Sequence, residues 1–310
     1  MALRTARQLG AAAHEPSGDD DLYTQGLGGN DNSAMEHGRL SNWRDTAGVT
    51  DEQARDLAAR LEHRAKASDE VAARETYLDL LAIKEGDRVL DIGCGSGAVT
   101  RAIARRVGDD GRAVGFDSSA ALLGLARQYA AEAGVAKRIE WQAGDCRALP
   151  FTDGSFDAVL AATVLAHVPN AEAALREMVR VTRIGGRVGV FDFDGDCFLI
   201  SHPDREVTRR IVAAQCDHSA VNGHLVRELP GLLGDLGVVD VRAQAFMPLE
   251  REAGSFYADL AARAGHTAAK VGAISEAEAR RWQDELKRIT AAGRFIGGRL
   301  HLFVWGRRGK

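Results

Sequence analysis

The stretch VLDIGCGSGAVT, Val89 to Thr100, has the residue types and spacing to hold a small ligand. Gly93, Gly95 and Ala98 satisfy the pattern G-x-G-x-x-G/A, in which glycines let the backbone come close to a bound molecule. Asp117 follows about 20 residues further on, at the end of a second apolar run, where an acid grips the hydroxyls of a ribose. Several nucleoside ligands share this arrangement. No GK[ST] follows the glycines, which excludes a phosphate-cradling loop. Asp91 lies two residues before Gly93. A carboxylate there repels a pyrophosphate and suits a ligand that carries an ammonium and a sulfonium.

S-adenosylmethionine is such a ligand, with an adenosine for Asp117 and positive charge beside the glycines. Further along, Asp145 can accept from an adenine amino group, and Cys146 can add a backbone N–H. Transfer of a methyl group is an in-line displacement in which positioning supplies much of the rate. A base is needed only where the acceptor must lose a proton. His167, in LAHVPN, has an imidazole suited to that role near neutral pH; the competing reading is a structural hydrogen bond. Asp192 and Asp194 alternate with Phe191 and Phe193, so both acids point to one face at a strand's end. One of them could bind the acceptor or orient His167; the competing reading is a solvated strand end. His202, Cys216, His218 and His224 fit no standard zinc spacing, and helical phase does not gather all four, so no metal is expected.

These residues need a scaffold, and the chain alternates short apolar runs with helical periods from Gly86 onward. RVLDI, AVGF, IEWQA, FDAVLAA and RVGVFDF read as strands. Helices carrying Val99, Ile103 and Val107, then Leu122, Ala126 and Tyr129, then Leu175, Met178 and Thr182, separate them. That alternation predicts an α/β fold with a parallel sheet covered on both faces. VVDVRAQAF, Val238 to Phe246, reads as a later strand, and Arg299 to Arg308 as a last one that pairs antiparallel. Helical stretches are expected at Ser255 to Ala264 and Ser275 to Ala291, with Leu260, Trp282, Leu286 and Ile289 in the core. The 197–235 and 250–295 segments read as cover for the acceptor, with Asn222 and His224 facing it.

Ahead of the sheet, Thr50 and Gln53 fit a capping box, and Ser68 is expected to cap a second helix bearing Val71, Leu78 and Leu81. Residues 1–40 are rich in Gly, Asp, Asn and Ser and read as a tail; residues 41–84, with Trp43 and Tyr77, read as helices over the ligand, and 85–310 as the main domain. The formal net charge of −4 argues against nucleic acid or an anionic membrane as the main partner. Apolar runs are too short to span a bilayer. Four cysteines without CxxC spacing suit reduced thiols in a cytoplasmic protein. Two arginines in MALRTARQLGAAAH are a poor targeting signal, because EPSGDDD follows at once.

VLDIGCGSG, VGFDSS, GDCRALPFTDGSFD, LAHVPN and GGRVGVFDFD occur in order over about Gly86 to Asp194. With this set the chain resembles class I S-adenosylmethionine-dependent methyltransferases, most of all the ubiquinone/menaquinone-biosynthesis C-methyltransferase type. The resemblance implies a Rossmann-like, doubly wound, mostly parallel seven-stranded sheet with an antiparallel last strand. It implies that Asp91, Gly93, Gly95 and Gly97 contact the methionyl part, Asp117 and Ser118 the ribose, and Asp145 and Cys146 the adenine. Thr163 should then lie near the sulfonium. Ile184 stands where the family usually has proline before two glycines, but Gly185 and Gly186 still make the turn.

The expected activity is methyl transfer to a small organic acceptor: quinone-like, phenolic, lipid-like or a secondary metabolite. No Asn/Asp-Pro-Pro-Tyr/Phe follows the fourth strand, where methyltransferases of DNA amino groups carry it. Three alternatives stay open. One is a NAD-dependent oxidoreductase, which Asp91 and GDCRALPF count against. Another is a cofactor-binding partner module without turnover. The third is the same cofactor assisting a cyclisation or decarboxylation. The oligomeric state is not legible.

Overall fold

The computed structural model describes residues 48–310, so the 1–40 tail and Trp43 lie outside the described residues. Helix α1, Asp51–Lys66, starts at the expected capping box: Thr50 accepts from the Gln53 N–H while the Gln53 side chain accepts from Thr50 N. Helix α2 spans Ser68–Leu80. Its cap is Ala67 and not Ser68: Ala67 takes an extended backbone after its N–H closes on Arg64 O, which leaves Ser68 as the first helical residue.

Strands β1 (Arg88–Ile92), β2 (Arg112–Asp117), β3 (Ile139–Ala143), β4 (Phe156–Ala162) and β5 (Thr182–Ile200) are mutually parallel where they pair. Helices α3 (Ala98–Val107), α4 (Ala120–Glu132) and α5 (Ala171–Val181) make the crossovers. After β5 come α6 (Arg205–Ser219), α7 (Leu225–Asp235), β6 (Val238–Phe246) and the two-residue β7 (Leu249–Glu250). Helices α8 (Phe256–Lys270) and α9 (Glu276–Ala291) and strand β8 (Gly297–Arg308) finish the chain. The sheet order is β3-β2-β1-β4-β5-β8-β6. Strand β8 runs antiparallel to β5 and β6, and β7 pairs with it as an eighth short strand. The expected α/β, doubly wound sheet with an antiparallel last strand is therefore present.

Alternation along the central strands feeds two cores. Val89 joins Leu78, Ile103 and Phe303 on one face, while Leu90 joins Leu175, Met178 and Leu229 on the other. The edge strands keep polar residues outward, as in Glu140 and Gln142 of β3. A third cluster, with Ile211, Tyr257, Trp282 and Phe295, joins α6, α8 and α9 over the far end of β5. The 197–235 segment is thus split: α6 joins this third cluster, while Leu229 and Leu233 of α7 sit in the sheet's own core. Helix α8 runs past the expected stop at Gly265. That glycine lies against the Trp282 ring, where an added Cβ would come within 3.2 Å, so it serves packing and not termination. Trp282, Leu286 and Ile289 are buried as expected, and Leu260 is half-buried. Among the described residues no helix is long and apolar enough to cross a membrane.

Candidate functional site

The strand order reverses between β1 and β4, and the crevice beyond the carboxyl ends of strands at such a point is where open α/β sheets take ligands. A cavity of about 450 Å³ lies there. Asp91, Gly93, Gly95, Asp117, Ser118, Asp145, Cys146, Thr163 and His167 all line it. Four segments far apart in sequence are brought together by the parallel sheet.

The turn after β1 needs glycine. Gly93 and Gly95 have φ of +64° and +53°, and a Cβ on Gly93 would meet Val164 at 2.4 Å. Gly97 is the departure here. It does not line the cavity; with φ of +78° it turns the chain into α3, packed against the Trp141 ring. Ser96 and Arg101 both bond Glu62 of α1, Arg101 at 2.9 and 2.7 Å, which clamps α1 to the glycine turn.

Asp91 is 1% exposed and accepts from Thr100 Oγ1 at 2.5 Å. Burial pushes its carboxyl up to about 7, against the Thr100 bond, and the neighbouring Asp117 charge adds to the rise. Asp117 is also raised by burial, although the N–H groups of Gly95 and Ser119 donate to it at 2.8 and 2.9 Å. Two buried acids facing one cavity favour a ligand with positive charge. Asp145 is more exposed, and Arg147 bonds both its oxygens at 2.7–3.0 Å, holding the carboxyl below its usual range. An adenine amino group would have to share that carboxylate with Arg147. Burial raises the Cys146 thiol to about 11 and pushes the Cys94 thiol well above its ordinary value, so neither is a thiolate nucleophile.

Thr163 follows β4 with φ of +58°, a strained conformation for a β-branched residue. Its N–H donates to Phe191 O at 2.6 Å, and Arg64 donates to its hydroxyl at 3.4 Å. His167 closes the short 3-10 turn Leu165–His167, with its ring 5.6 Å from that of Phe193.

Neither Asp192 nor Asp194 lines the cavity, contrary to the sequence expectation. Asp192 is 1% exposed and accepts from Ala166 N–H at 3.0 Å and Phe193 N–H at 2.9 Å, so it holds the turn that carries His167. Burial raises its carboxyl to about 6. Asp194 is engaged by Arg227 at 2.6 and 2.7 Å, tying β5 to α7. Burial pushes the Asp194 carboxyl up, but the Arg227 bonds and charge outweigh it and leave it lowered. Asn222 faces no substrate either: its amide donates to Leu165 O and Val168 O, bracing the same turn. His224 turns to a different cluster with Cys216 and Asp196, and His202 stacks on Trp282.

The sequence reading missed the opposite wall, built by Arg64, Glu70 and Arg74 of α1 and α2, beside Tyr77. Arg64 pairs with Glu70 at 2.9 Å, and Tyr257 donates to the same carboxylate at 3.3 Å. His301 is 2% exposed and stacks on Phe191 with rings 4.9 Å apart. Burial lowers it to about 3, so it is neutral. Its Nδ1 donates to Arg299 O, which leaves Nε2 to accept from Arg64. Arg299, His301 and Phe303 lie on one face of β8 and are all buried, but no spacing in the sequence ties them to this wall.

A family model described as "Methyltransferase domain" matches residues 89–186, the stretch that supplies the glycine turn, Asp117, Asp145 and Thr163. The chain carries a class I methyltransferase domain. Over 224 residues it is 32% identical to an uncharacterized 37.1 kDa protein in transposon TN4556 of Streptomyces fradiae, spanning 72% of this chain and 63% of that one. Over 111 residues it is 43% identical to the 2-phytyl-1,4-naphtoquinone methyltransferase of Synechococcus elongatus, spanning 36% of this chain and 48% of that one. The aligned stretch is therefore about half the length of that quinone-methylating relative. Among solved structures, the YcgJ protein of Bacillus subtilis superposes with a TM-score of 0.53 at 18% identity, covering 77% of this chain and 99% of that one. The phosphoethanolamine N-methyltransferase 2 of Haemonchus contortus gives 0.55 at 15%, covering 88% of this chain and 61% of its own. At that identity these two establish the fold of the methyltransferase domain.

Proposed function

We propose that this chain binds S-adenosylmethionine in the cavity and transfers its methyl group to a small organic acceptor of the quinone or phenol class. The observation that carries the reading is the pair of buried, raised carboxyls, Asp91 and Asp117, at the ends of adjacent strands beside the glycine turn. Asp91 takes the ammonium of the methionyl part and Asp117 the ribose hydroxyls. Gly93 and Gly95 bring the backbone close, Ser118 adds a ribose contact, and Asp145 and Cys146 border the adenine. Thr163 lies where the reacting end would sit. No residue has to activate the sulfonium, because it is already a strong leaving group.

The acceptor enters between α1–α2 and the turn after β4. Tyr77, Phe191 and Pro169 give that end of the cavity flat and apolar surfaces, and the Tyr77 and Phe191 rings lie 4.6 Å apart. A quinone-like ring suits such surfaces. The named relatives point the same way, since one methylates a phytyl naphthoquinone and another is a demethylmenaquinone methyltransferase of Lactobacillus johnsonii. His167 accepts the proton that a phenolic or activated-carbon acceptor must lose, and Asp192 positions it through the turn. Asp194 has no part in the chemistry. Residues 51–80 act as the lid, clamped by the Glu62–Arg101 pair. The test is turnover of a panel of hydroquinones, phenols and lipids with the cofactor. Methylated product that disappears in Asp117→Asn supports the reading. No product from any acceptor, together with cofactor binding, would refute methyl transfer to this class.

A further inference from the structure

A second cluster of chemistry-bearing side chains stands away from the cavity. Cys216 at the end of α6, His224 before α7 and Asp196 on β5 each offer one ligand atom, and these atoms lie within 4.8 Å of one another. The Cys216 Sγ is 3.6 Å from His224 Nδ1, and that nitrogen is 3.5 Å from Asp196 Oδ2. A tetrahedral zinc ion has bonds of about 2.3 Å to sulfur, 2.0–2.1 Å to imidazole and 2.0–2.2 Å to carboxylate. Those lengths set the sulfur–nitrogen edge at about 3.6 Å and the nitrogen–oxygen edge at about 3.3–3.5 Å. The sulfur–nitrogen and nitrogen–oxygen edges match, and the sulfur–oxygen edge is within 4.8 Å.

The approach of the three residues is built into the backbone. Gly195 and Gly223 each precede a would-be ligand, and Gly195 N–H donates to Gly223 O at 2.8 Å. A Cβ on either would meet Cys216 Sγ, at 2.5 and 2.8 Å respectively. Only glycine at both positions lets Asp196 and His224 close on the buried sulfur. The sulfur lies 3.6 Å from His224 Nδ1 and 4.0 Å from Nε2, beside the ring, so a turn of the exposed imidazole about its Cβ–Cγ bond is needed to aim Nδ1 at an ion held by the sulfur and the carboxylate.

We infer that Cys216, His224 and Asp196 form a zinc site. Arg227 is the outer partner: it donates to Asp196 Oδ2 at 3.0 Å and to Asp194. With a thiolate and two carboxylates against zinc and one guanidinium, the charges cancel. A small cavity of about 250 Å³ lined by Cys216, His224, Asp217 and Glu228 adjoins the cluster and has room for a water to complete the shell. The site staples β5, α6 and the loop before α7. That loop continues from Val221 and Asn222, whose N–H groups donate to Ala166 O beneath His167. Zinc would thus stiffen the turn that carries His167 without touching any reactant.

The experiment uses the full chain freed of metal by a chelator. Zinc is titrated calorimetrically, and cobalt(II) is followed by absorption. One equivalent should bind, with the intense visible bands of tetrahedral cobalt and a thiolate charge-transfer band in the near ultraviolet. Cys216→Ser and His224→Ala should each weaken binding at least about 100-fold, because losing an outer-shell partner alone costs about 10–100-fold. Cys197→Ser should bind as the wild type does. His224 is half exposed, so its variant folds even if the buried Cys216→Ser does not. Absence of stoichiometric binding by the wild-type chain, or unchanged binding by His224→Ala, would overturn the site.

Discussion

Asp91 gives the most exacting prediction. Burial holds its carboxyl at about 7 in the ligand-free chain. An ammonium placed beside it favours the ionised form, so binding below pH 7 must expel a proton. At pH 5 the carboxyl is two pH units below its midpoint, a cost of about 2.7 kcal/mol at about 1.36 kcal/mol per unit. Affinity for S-adenosylhomocysteine, which keeps the ammonium, should therefore weaken about 100-fold between pH 8 and pH 5 and be flat above pH 8. Asp117, raised for the same reason, adds to the trend with the same sign. Titration calorimetry in buffers of different ionisation enthalpy should read nearly one proton released at pH 5.5. The sign reverses for folding. The native carboxyl binds its proton more tightly than the unfolded one, whose midpoint is 3.8, so this group's contribution to stability falls as pH rises from about 4 to about 7. Asp91→Asn should accordingly raise the melting temperature of the ligand-free chain at pH 8, by about 2–4 kcal/mol of stability, while removing most of the affinity. Affinity independent of pH, or tighter at pH 5 than at pH 8, would refute the reasoning.

Other outcomes follow from single contacts. Asp117→Asn should lower cofactor affinity by about 2–3 kcal/mol, since it removes a charged acceptor from Gly95 N–H and from the ribose; unchanged affinity by calorimetry would remove the ribose assignment. His167→Ala should lower kcat with little change in the acceptor KM and flatten the acid limb of the rate–pH profile; a wild-type profile would leave His167 structural. Thr163→Gly should relieve backbone strain worth about 1–3 kcal/mol, partly offset by glycine's entropy, so a clear fall in melting temperature would contradict the strain reading. Glu62→Gln should unclamp α1 from Arg101 and Ser96 and speed cofactor release in stopped-flow displacement, and an unchanged off-rate would contradict α1 as a lid.

The alternation of apolar runs and helical periods carried the sheet. Strand β6 falls on the residues that periodicity and composition pick out, because an edge strand's boundaries are set locally. The cavity's cofactor side was legible for a similar reason: Asp91, Gly93, Gly95 and Asp117 sit at fixed offsets from strand ends, and the strands carry them to one place. Asp192 and Asp194 were misplaced because strand alternation says which face a side chain leaves by, not who meets it there. A backbone N–H at Ala166 and a guanidinium at Arg227 took them. The Arg64–Glu70–Tyr257–His301 wall draws on two helices and two later segments of chain with no shared spacing, so no local pattern could reveal it. Cys216, His224 and Asp196 were hidden too, because the third member came from a strand and the closure depends on two glycines that read as ordinary loop.

Titration of the purified chain with S-adenosylhomocysteine, with NAD run in parallel, tests the central claim most directly. Saturable one-to-one binding of the first and none of the second is the predicted result. Binding of NAD alone would mean that Asp91 and Asp117 do not select a cationic cofactor, and the methyl-transfer account would fall.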